Sequence, residues 1–189
     1  MNRYIPYGLF LLAVCTGCGG KSLRPSEYKK FVENEANGYV QKTESGPYAL
    51  RCIYTPPDYM AVNELRSDDI DGGAFRQLKK EYEKMDSYAL SITSADPRAL
   101  ERFQPYFSFY MQENVRKVCD GDTSECTAYH AEPFNAIKGE QYIHIGFPAA
   151  GCPSQTETIL LKDTPFLSEN VGFSFHKKEL LTPEIQLNE

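Results

Sequence analysis

The second half of the chain carries the pattern that most constrains the fold, because bulky apolar residues recur there at every second position. Successive side chains of a strand point to opposite faces, so this period predicts strands with one buried face. Two runs have it most clearly, with these residues on the apolar face: Ile143, Ile145, Phe147 and Val171, Phe173, Phe175. Tyr48–Thr55, earlier in the chain, has the same alternation. These segments therefore predict sheet strands that bury one side.

Helical patterns lie mainly in the first half of the chain. Ser26 is a typical N-cap before an apolar stripe that ends near Asn37, and Pro57 opens a second short helix through Leu65. Four apolar residues then recur at helical spacing: Phe75, Leu78, Tyr82 and Met85. Helices early and strands late, without regular strand–helix alternation, predict an α+β fold. We expect an antiparallel sheet with a few helices, mostly in the N-terminal half.

The first apolar run is interpreted as a targeting segment and not as part of the fold. Arg3 supplies a positive start, Ile5–Val14 is apolar, and small residues follow, as in a signal peptide. The run is too short for a permanent membrane span, which needs about 20 apolar residues. We therefore expect three regions: a lipoprotein signal peptide over 1–17, a lipidated cysteine with a short tether over 18–25, and a single α+β globular domain over 26–189.

Two cysteines stand at the end of this run, and small residues precede the second. The stretch resembles the lipobox of bacterial lipoproteins, in which a small residue precedes the cysteine that is lipidated. Thr16 and Gly17 fit that pattern before Cys18. The alternative anchor is Cys15, which stands where the pattern usually has Leu or Val and follows the bulky Val14. The resemblance implies a palmitate-bearing anchor in the bacterial cell envelope, and the absence of Asp after Cys18 implies the outer membrane.

Cysteine parity favours Cys18 as the anchor. If Cys18 becomes the N-terminus, the domain keeps an even set of cysteines: Cys52, Cys119, Cys126 and Cys152. An even set is expected of an exported protein, because its compartment is oxidising. If Cys15 is the anchor, Cys18 remains as an odd thiol.

The four remaining cysteines predict disulfide bonds. Val115–Cys119 and Cys126–Glu132 have the pattern of the two arms of a hairpin, which predicts a bridge between Cys119 and Cys126. Cys52 would then pair with Cys152, or it would remain a buried free thiol on its apolar face. Four cysteines allow three pairings, and the sequence alone does not choose among them.

Few residues suggest a metal or a catalytic site. His130 and Glu132 share a predicted strand face, which could begin a metal site. His144 and His176 fall on the polar faces of their strands. The acidic loop between the hairpin cysteines lacks the Gly and Glu that an EF-hand needs at its sixth and twelfth positions, and the acidic loop at 68–71 is interpreted as helix capping. Because zinc, nucleophile-elbow, phosphate-loop and dinucleotide motifs are also missing, we predict no cofactor, metal or catalytic residue.

The body of the chain is similar to small uncharacterised lipoproteins of Bacteroidota, in the segments ENEANGYVQK, YTPPDYMAVNEL and YHAEP. That similarity implies no particular activity. The net charge of −6 argues against nucleic-acid binding, which needs a basic face. We expect a non-catalytic, membrane-anchored lipoprotein that binds an envelope protein partner. The alternative is an envelope hydrolase, or a carbohydrate- or peptide-binding module, whose site forms only in the fold.

Overall fold

The computed structural model describes residues 22–149 and 152–188. The predicted signal peptide over 1–17 and both candidate lipidation sites, Cys15 and Cys18, lie outside these residues. The helices are α1 (Pro25–Glu33), α2 (Pro57–Leu65), α3 (Gly72–Tyr82), α4 (Pro97–Glu101) and α5 (Gln104–Phe109). The strands are β1 (Val40–Ser45), β2 (Tyr48–Thr55), β3 (Met85–Ser94), β4 (Val115–Cys119), β5 (Asp122–Glu125), β6 (Ala128–Ala131), β7 (Glu140–Pro148), β8 (Thr156–Leu161) and β9 (Val171–His176). None of the described helices has the length and apolar character needed to cross a membrane.

The strands form two sheets. Sheet I has the order β1-β2-β3-β7-β6, and sheet II has the order β5-β4-β8-β9. Neighbouring strands run antiparallel in both sheets. The helices lie mostly in the N-terminal half, and the predicted α+β class is confirmed.

Sheet I is the middle of three layers and has a hydrophobic core on each side. Leu50 and Ile145 of sheet I meet Phe173 of sheet II in the core between the sheets. The opposite face of sheet I packs against α1–α3 through residues such as Tyr28 and Phe75. This arrangement explains the alternation in the sequence, because the apolar residues at every second position of β7 and β9 all point into the core between the sheets.

The start of the described chain is bound to its end. Leu23 donates its backbone N–H to the carbonyl of Glu184 and accepts a bond from the N–H of Gln186, both at 2.8 Å. Helix α1 then begins at Pro25, one residue before the predicted N-cap Ser26, because proline fits a first helical turn. Within the predicted tether, the segment from Leu23 onward therefore lies on the domain.

The predicted hairpin between residues 115–119 and 126–132 is wrong. Strand β4 turns through Asp120 and Gly121, whose φ angles are 50° and 90°, and pairs with β5 instead. Two central residues with positive φ make the tight turn that matches the twist of a hairpin, and Asp-Gly is a favoured sequence for it. After β5 the chain leaves sheet II, and β6 joins β7 in sheet I.

The disulfide links Cys119 to Cys152, so the predicted pairs Cys119–Cys126 and Cys52–Cys152 are both wrong. Val118 lies opposite Thr158 across β4 and β8, which brings the end of β4 beside the loop before β8. The two bridged Cα atoms are 5.8 Å apart. Closing a loop of 33 residues stabilises the fold by roughly 3.5–4 kcal/mol in the chain-entropy model.

The other two cysteines in the described part of the chain are free thiols in the core between the sheets. Cys52 lies on β2 and is fully buried, as the alternative interpretation of that residue predicts. Cys126 lies in the crossover from sheet II to sheet I and is also buried. Burial raises the pKa of both thiols, because a thiolate is poorly solvated there. Neither cysteine is therefore a reactive thiol.

Candidate functional site

The helices cover only part of sheet I. Helices α1–α3 pack over β1–β3, whereas beyond them the side chains of His144 and Glu132 are 43% and 47% exposed. A pocket of about 280 Å³ lies at the boundary of the covered half. Met60 of α2 and Tyr82 of α3 line it from the helices, and His130 of β6 and His144 of β7 line it from the sheet. We call this concavity the histidine pocket.

Gly146 lies at the floor of the histidine pocket, where the absence of a side chain lets neighbouring groups pack against the backbone. A Cβ atom at this position would lie 2.5 Å from Cε of Met85 and 3.0 Å from Cβ of Ala128. Glycine within a strand is otherwise unfavourable, and it often marks a place where another group approaches the backbone closely. Here it lets the Met85 side chain lie across β7, which gives the pocket an apolar base.

The two histidines of the pocket face each other across two strands. His130 lies directly opposite His144 in the antiparallel register of β6 and β7. Their rings are nearly parallel, at 24°, with centroids 6.1 Å apart. Nε2 of His144 lies 2.9 Å from a carboxylate oxygen of Glu132, and Tyr142 packs edge-on against the same imidazole. Two imidazoles and a carboxylate therefore meet at the rim of the pocket.

The sequence pattern predicted that two of these three side chains lie together, but it did not predict the third. His130 and Glu132 lie on one strand face, as predicted. His144 joins them only because β7 pairs with β6, and that register cannot be derived from the alternation of either strand alone. His176 lies apart on β9, where its Nδ1 is 3.0 Å from Oγ1 of Thr156.

The acidic loops have structural roles. Asp71 caps α3 by accepting a bond from the backbone N–H of Ala74 at 2.7 Å, which confirms the capping interpretation at that residue. Asp68 accepts bonds from the backbone N–H and the hydroxyl of Ser26, at 2.7 and 2.9 Å. These bonds lie in an open polar hollow of about 480 Å³, in which Lys29 is bound to Asn63. Because four of its polar side chains are already paired with one another, this hollow is the weaker candidate site.

One other group of potential ligands is compact but cannot bind a metal. Among the described residues, Cys119, Asp120 and Cys152 have ligand atoms within 4.8 Å of one another. The two sulfur atoms are bonded to each other, however, and a metal requires the thiolate form. Asp120 also accepts a bond from the backbone N–H of Ser154 at 3.0 Å. This cluster therefore closes the end of sheet II.

A buried charge cluster joins the two sheets, and the sequence analysis missed it. Its members are Lys117 of β4, Asp86 of β3, Glu157 of β8, Lys177 after β9, and Tyr88 of β3. Lys117 Nζ lies 2.6 Å from Asp86, and Lys177 Nζ lies 2.5 Å from Asp86 and 2.7 Å from Glu157. Two cations therefore balance two carboxylates, which is the condition under which buried charges are tolerated. The available signal was a lysine at an inward position of the strand VRKVC.

Tyr88 completes the buried charge cluster as a permanent donor. Its hydroxyl donates to Glu157 at 2.6 Å. Burial, and then the negative charge of Glu157, raise the pKa of Tyr88 far above its ordinary value. The phenol therefore stays protonated, and the cluster acts as a clamp between the sheets.

Comparison with solved structures finds chains of similar shape, among them two bacterial proteins. No family model and no curated protein matches the sequence. A protein of unknown function from Burkholderia pseudomallei superposes with a TM-score of 0.41 at 11% identity, over 84% of this chain and 94% of that one. A DUF4426 family protein from Pseudomonas aeruginosa superposes with a TM-score of 0.33 at 11% identity, over 72% of this chain and 91% of that one. At these levels neither similarity assigns a function.

Proposed function

We propose that the chain is a non-catalytic lipoprotein, anchored in the cell envelope through a lipid on Cys18, whose domain binds a partner protein along strand β6. The proposed location is the outer membrane. One observation carries the proposal: β6 is an edge strand without charge or proline, and it borders the histidine pocket.

The anchor would hold the domain close to the membrane. Leu23 is already bonded to the domain, and it stands five positions after Cys18. Five residues span at most about 18 Å when fully extended. A partner that reaches this domain would therefore lie in the same membrane or against its surface.

The backbone of β6 offers unused hydrogen-bonding groups. Glu132 donates its N–H to Tyr142 of β7 at 2.9 Å, and bonding to the neighbour alternates along an antiparallel strand. The backbone groups of Tyr129 and Ala131 therefore point away from β7, where the described residues provide no further strand. An extended peptide can add to such an edge and place one side chain in an adjacent pocket.

Two of the three other sheet edges, β1 and β5, differ from β6 in a way that favours this choice. The third edge, β9, has the sequence VGFSFH and also lacks a charge, but it lies beside β1 of sheet I and does not border the histidine pocket. Edge strands are usually protected from pairing by charged residues. Strand β1 carries Lys42 and Glu44, and β5 carries Asp122 and Glu125. Strand β6 has the sequence AYHA, without a charge that would oppose an added strand.

Exposed aromatic side chains lie close to β6. The hydroxyl of Tyr129 donates to the carbonyl of Phe107 at 2.7 Å, which fixes α5 against β6. Phe109 and Tyr110, at the end of α5, are 76% and 60% exposed. Aromatic side chains of this kind are enriched in protein interfaces.

The test is a pull-down of the full-length lipidated protein from its own membranes in mild detergent, with quantitative mass spectrometry. Ala128→Lys puts a charge on the exposed edge of β6 beside the pocket. The control Glu44→Lys puts the same side chain on β1, the opposite edge of sheet I. We expect the wild type and the control to retain a stoichiometric partner, and Ala128→Lys to lose it at least about tenfold.

Two results would contradict the proposal. Recovery of the protein alone from all three preparations would mean that the domain has no stable protein partner. Equal recovery of a partner with Ala128→Lys and Glu44→Lys would move the interface away from β6. The anchor is tested separately by the mass of the N-terminal tryptic peptide, which should carry diacylglyceryl on Cys18.

A further inference from the structure

The imidazoles of His130 and His144 are held as a pair by the sheet itself. They are directly opposite each other, and the flanking pairs Ala128–Gly146 and Ala131–Ile143 fix the register on both sides. Opposed residues of a hydrogen-bonded pair have Cα atoms about 5.5 Å apart. The Cβ atoms of the two histidines therefore remain neighbours whatever rotamers the side chains adopt, and the rings stay within reach of each other.

Glu132 adds a carboxylate to this pair on the same face. It follows His130 by two positions, and its Oε1 lies 2.9 Å from Nε2 of His144. Two imidazoles with one carboxylate are a ligand set that binds zinc and leaves a fourth position open. Such a set does not suit magnesium or calcium, which prefer oxygen ligands.

Tyr142 supports one of the imidazoles without competing for a metal. Its ring packs edge-on against His144, with centroids 5.1 Å apart. This ring contact restricts the orientation of the imidazole.

Only side-chain movement separates this arrangement from a closed metal site. In the described part of the chain, the ligand atoms of His130, His144 and Glu132 do not all lie within 4.8 Å of one another. His130 is exposed, and exposed side chains change rotamer within picoseconds to nanoseconds. The backbone already provides the spacing, so a rotation of His130 towards His144 and Glu132 can close the site.

We propose that His130, Glu132 and His144 form a binding site for one zinc ion at the rim of the histidine pocket. The ion would join β6 to β7 through three side chains and would leave one coordination position facing the pocket. This site does not depend on the partner proposed above, because it uses only residues of this chain.

The test uses the full chain, freed of metal with a chelator and titrated with Zn²⁺ alone in a calorimeter. We expect one ion per chain with a dissociation constant of about 10 µM or tighter, and no heat from Mg²⁺. His130→Ala and His144→Ala should each weaken binding at least about tenfold, and Glu132→Gln should weaken it several-fold. The matched control is His176→Ala, which removes the remaining histidine from β9 and should leave binding unchanged.

A second measurement identifies the ligands directly. In NMR spectra, Zn²⁺ should shift the ring C–H signals of His130 and His144 and leave those of His176 in place. The wild type should also unfold at a higher temperature with Zn²⁺ than without it, and this shift should vanish in His144→Ala. Absence of stoichiometric Zn²⁺ binding, or binding that survives both histidine substitutions, would overturn the proposal. These outcomes are independent of the pull-down, so the zinc site and the partner surface can fail separately.

Discussion

Sheet II and the β6–β7 half of sheet I are built from similar short antiparallel strands, but their polar groups are used differently. In sheet II, Lys117 and Glu157 point inward and are bound to partners, and a disulfide closes the end of the sheet. In the β6–β7 half, His130 and His144 point outward, and the edge of β6 carries no further strand in the described chain. Polar groups that are buried and fully paired stabilise the fold, whereas exposed groups held in register remain free to bind something else.

The largest expected effect comes from the buried charge cluster. The side chain of Lys117 is only 2% exposed, and Lys117→Ala leaves Asp86 half-paired and creates a cavity. Breaking a buried pair in this way should lower the free energy of unfolding by about 3–5 kcal/mol. The matched substitution His130→Ala, on the exposed side of β6, should change it by less than about 0.5 kcal/mol.

Urea denaturation of both variants at neutral pH measures this difference. A second control, Lys178→Ala, removes an exposed lysine next to Lys177 and should also be close to neutral. If Lys117→Ala were as stable as His130→Ala, the buried charge cluster would not stabilise the fold more than the exposed histidine pair does, and the comparison drawn above would be wrong.

The disulfide is expected to have the next largest effect. The double variant Cys119→Ser with Cys152→Ser should lose roughly 3.5–4 kcal/mol of stability, because a loop of 33 residues is no longer closed in the unfolded chain. Reductant should lower the stability of the wild type and leave the double variant unchanged. Peptide mapping without reduction gives the connectivity, and a Cys119–Cys126 peptide would refute the pairing described above.

A smaller effect is expected at alkaline pH. Because the pKa of Tyr88 is raised in the folded protein, the unfolded chain loses this proton first, near its ordinary pKa of about 10. Stability should therefore be unaffected by this group below pH 10 and fall above it, by about 1.4 kcal/mol per pH unit. Tyr88→Phe should be the less stable protein at pH 8 and should lose less stability than the wild type between pH 9 and 11.

The control for that pH series is Tyr110→Phe, which alters an exposed tyrosine at the end of α5. Its denaturation midpoints should follow those of the wild type across the whole range. A Tyr88→Phe curve parallel to that of the wild type would mean that the phenol does not contribute to the clamp between the sheets.

Local sequence patterns were sufficient to predict several of the helices and strands. They could not predict which distant strands pair with each other. The alternation at Ile143–Phe147 and Val171–Phe175 was sufficient for β7 and β9, because each strand buries one face in a core. The Asp-Gly pair at 120–121 is also a local turn signal, and it is the part of the sequence that indicates the β4–β5 hairpin.

The buried charge cluster and the histidine pair could not be predicted from local sequence patterns, because each brings together residues from different strands. Lys117 is an inward lysine that resembles a surface residue until β3 provides Asp86 beside it. His130 and His144 belong to strands joined by a loop, and only the register of that pair puts their rings together. Both clusters therefore follow from tertiary pairing.

The bonds that tie Leu23 to the end of the chain determine how the domain would respond to a pull on its N-terminal segment. Tension would load the bonds from the Gln186 side chain to Ser22 first, and then the two backbone hydrogen bonds that join Leu23 to Glu184 and Gln186. The bonds between Ser26 and Asp68 would carry the load next, ahead of any strand of either sheet. A mechanical force applied through a membrane anchor would then be absorbed by stepwise release of the two chain ends, while β6 and the histidine pocket keep their shape.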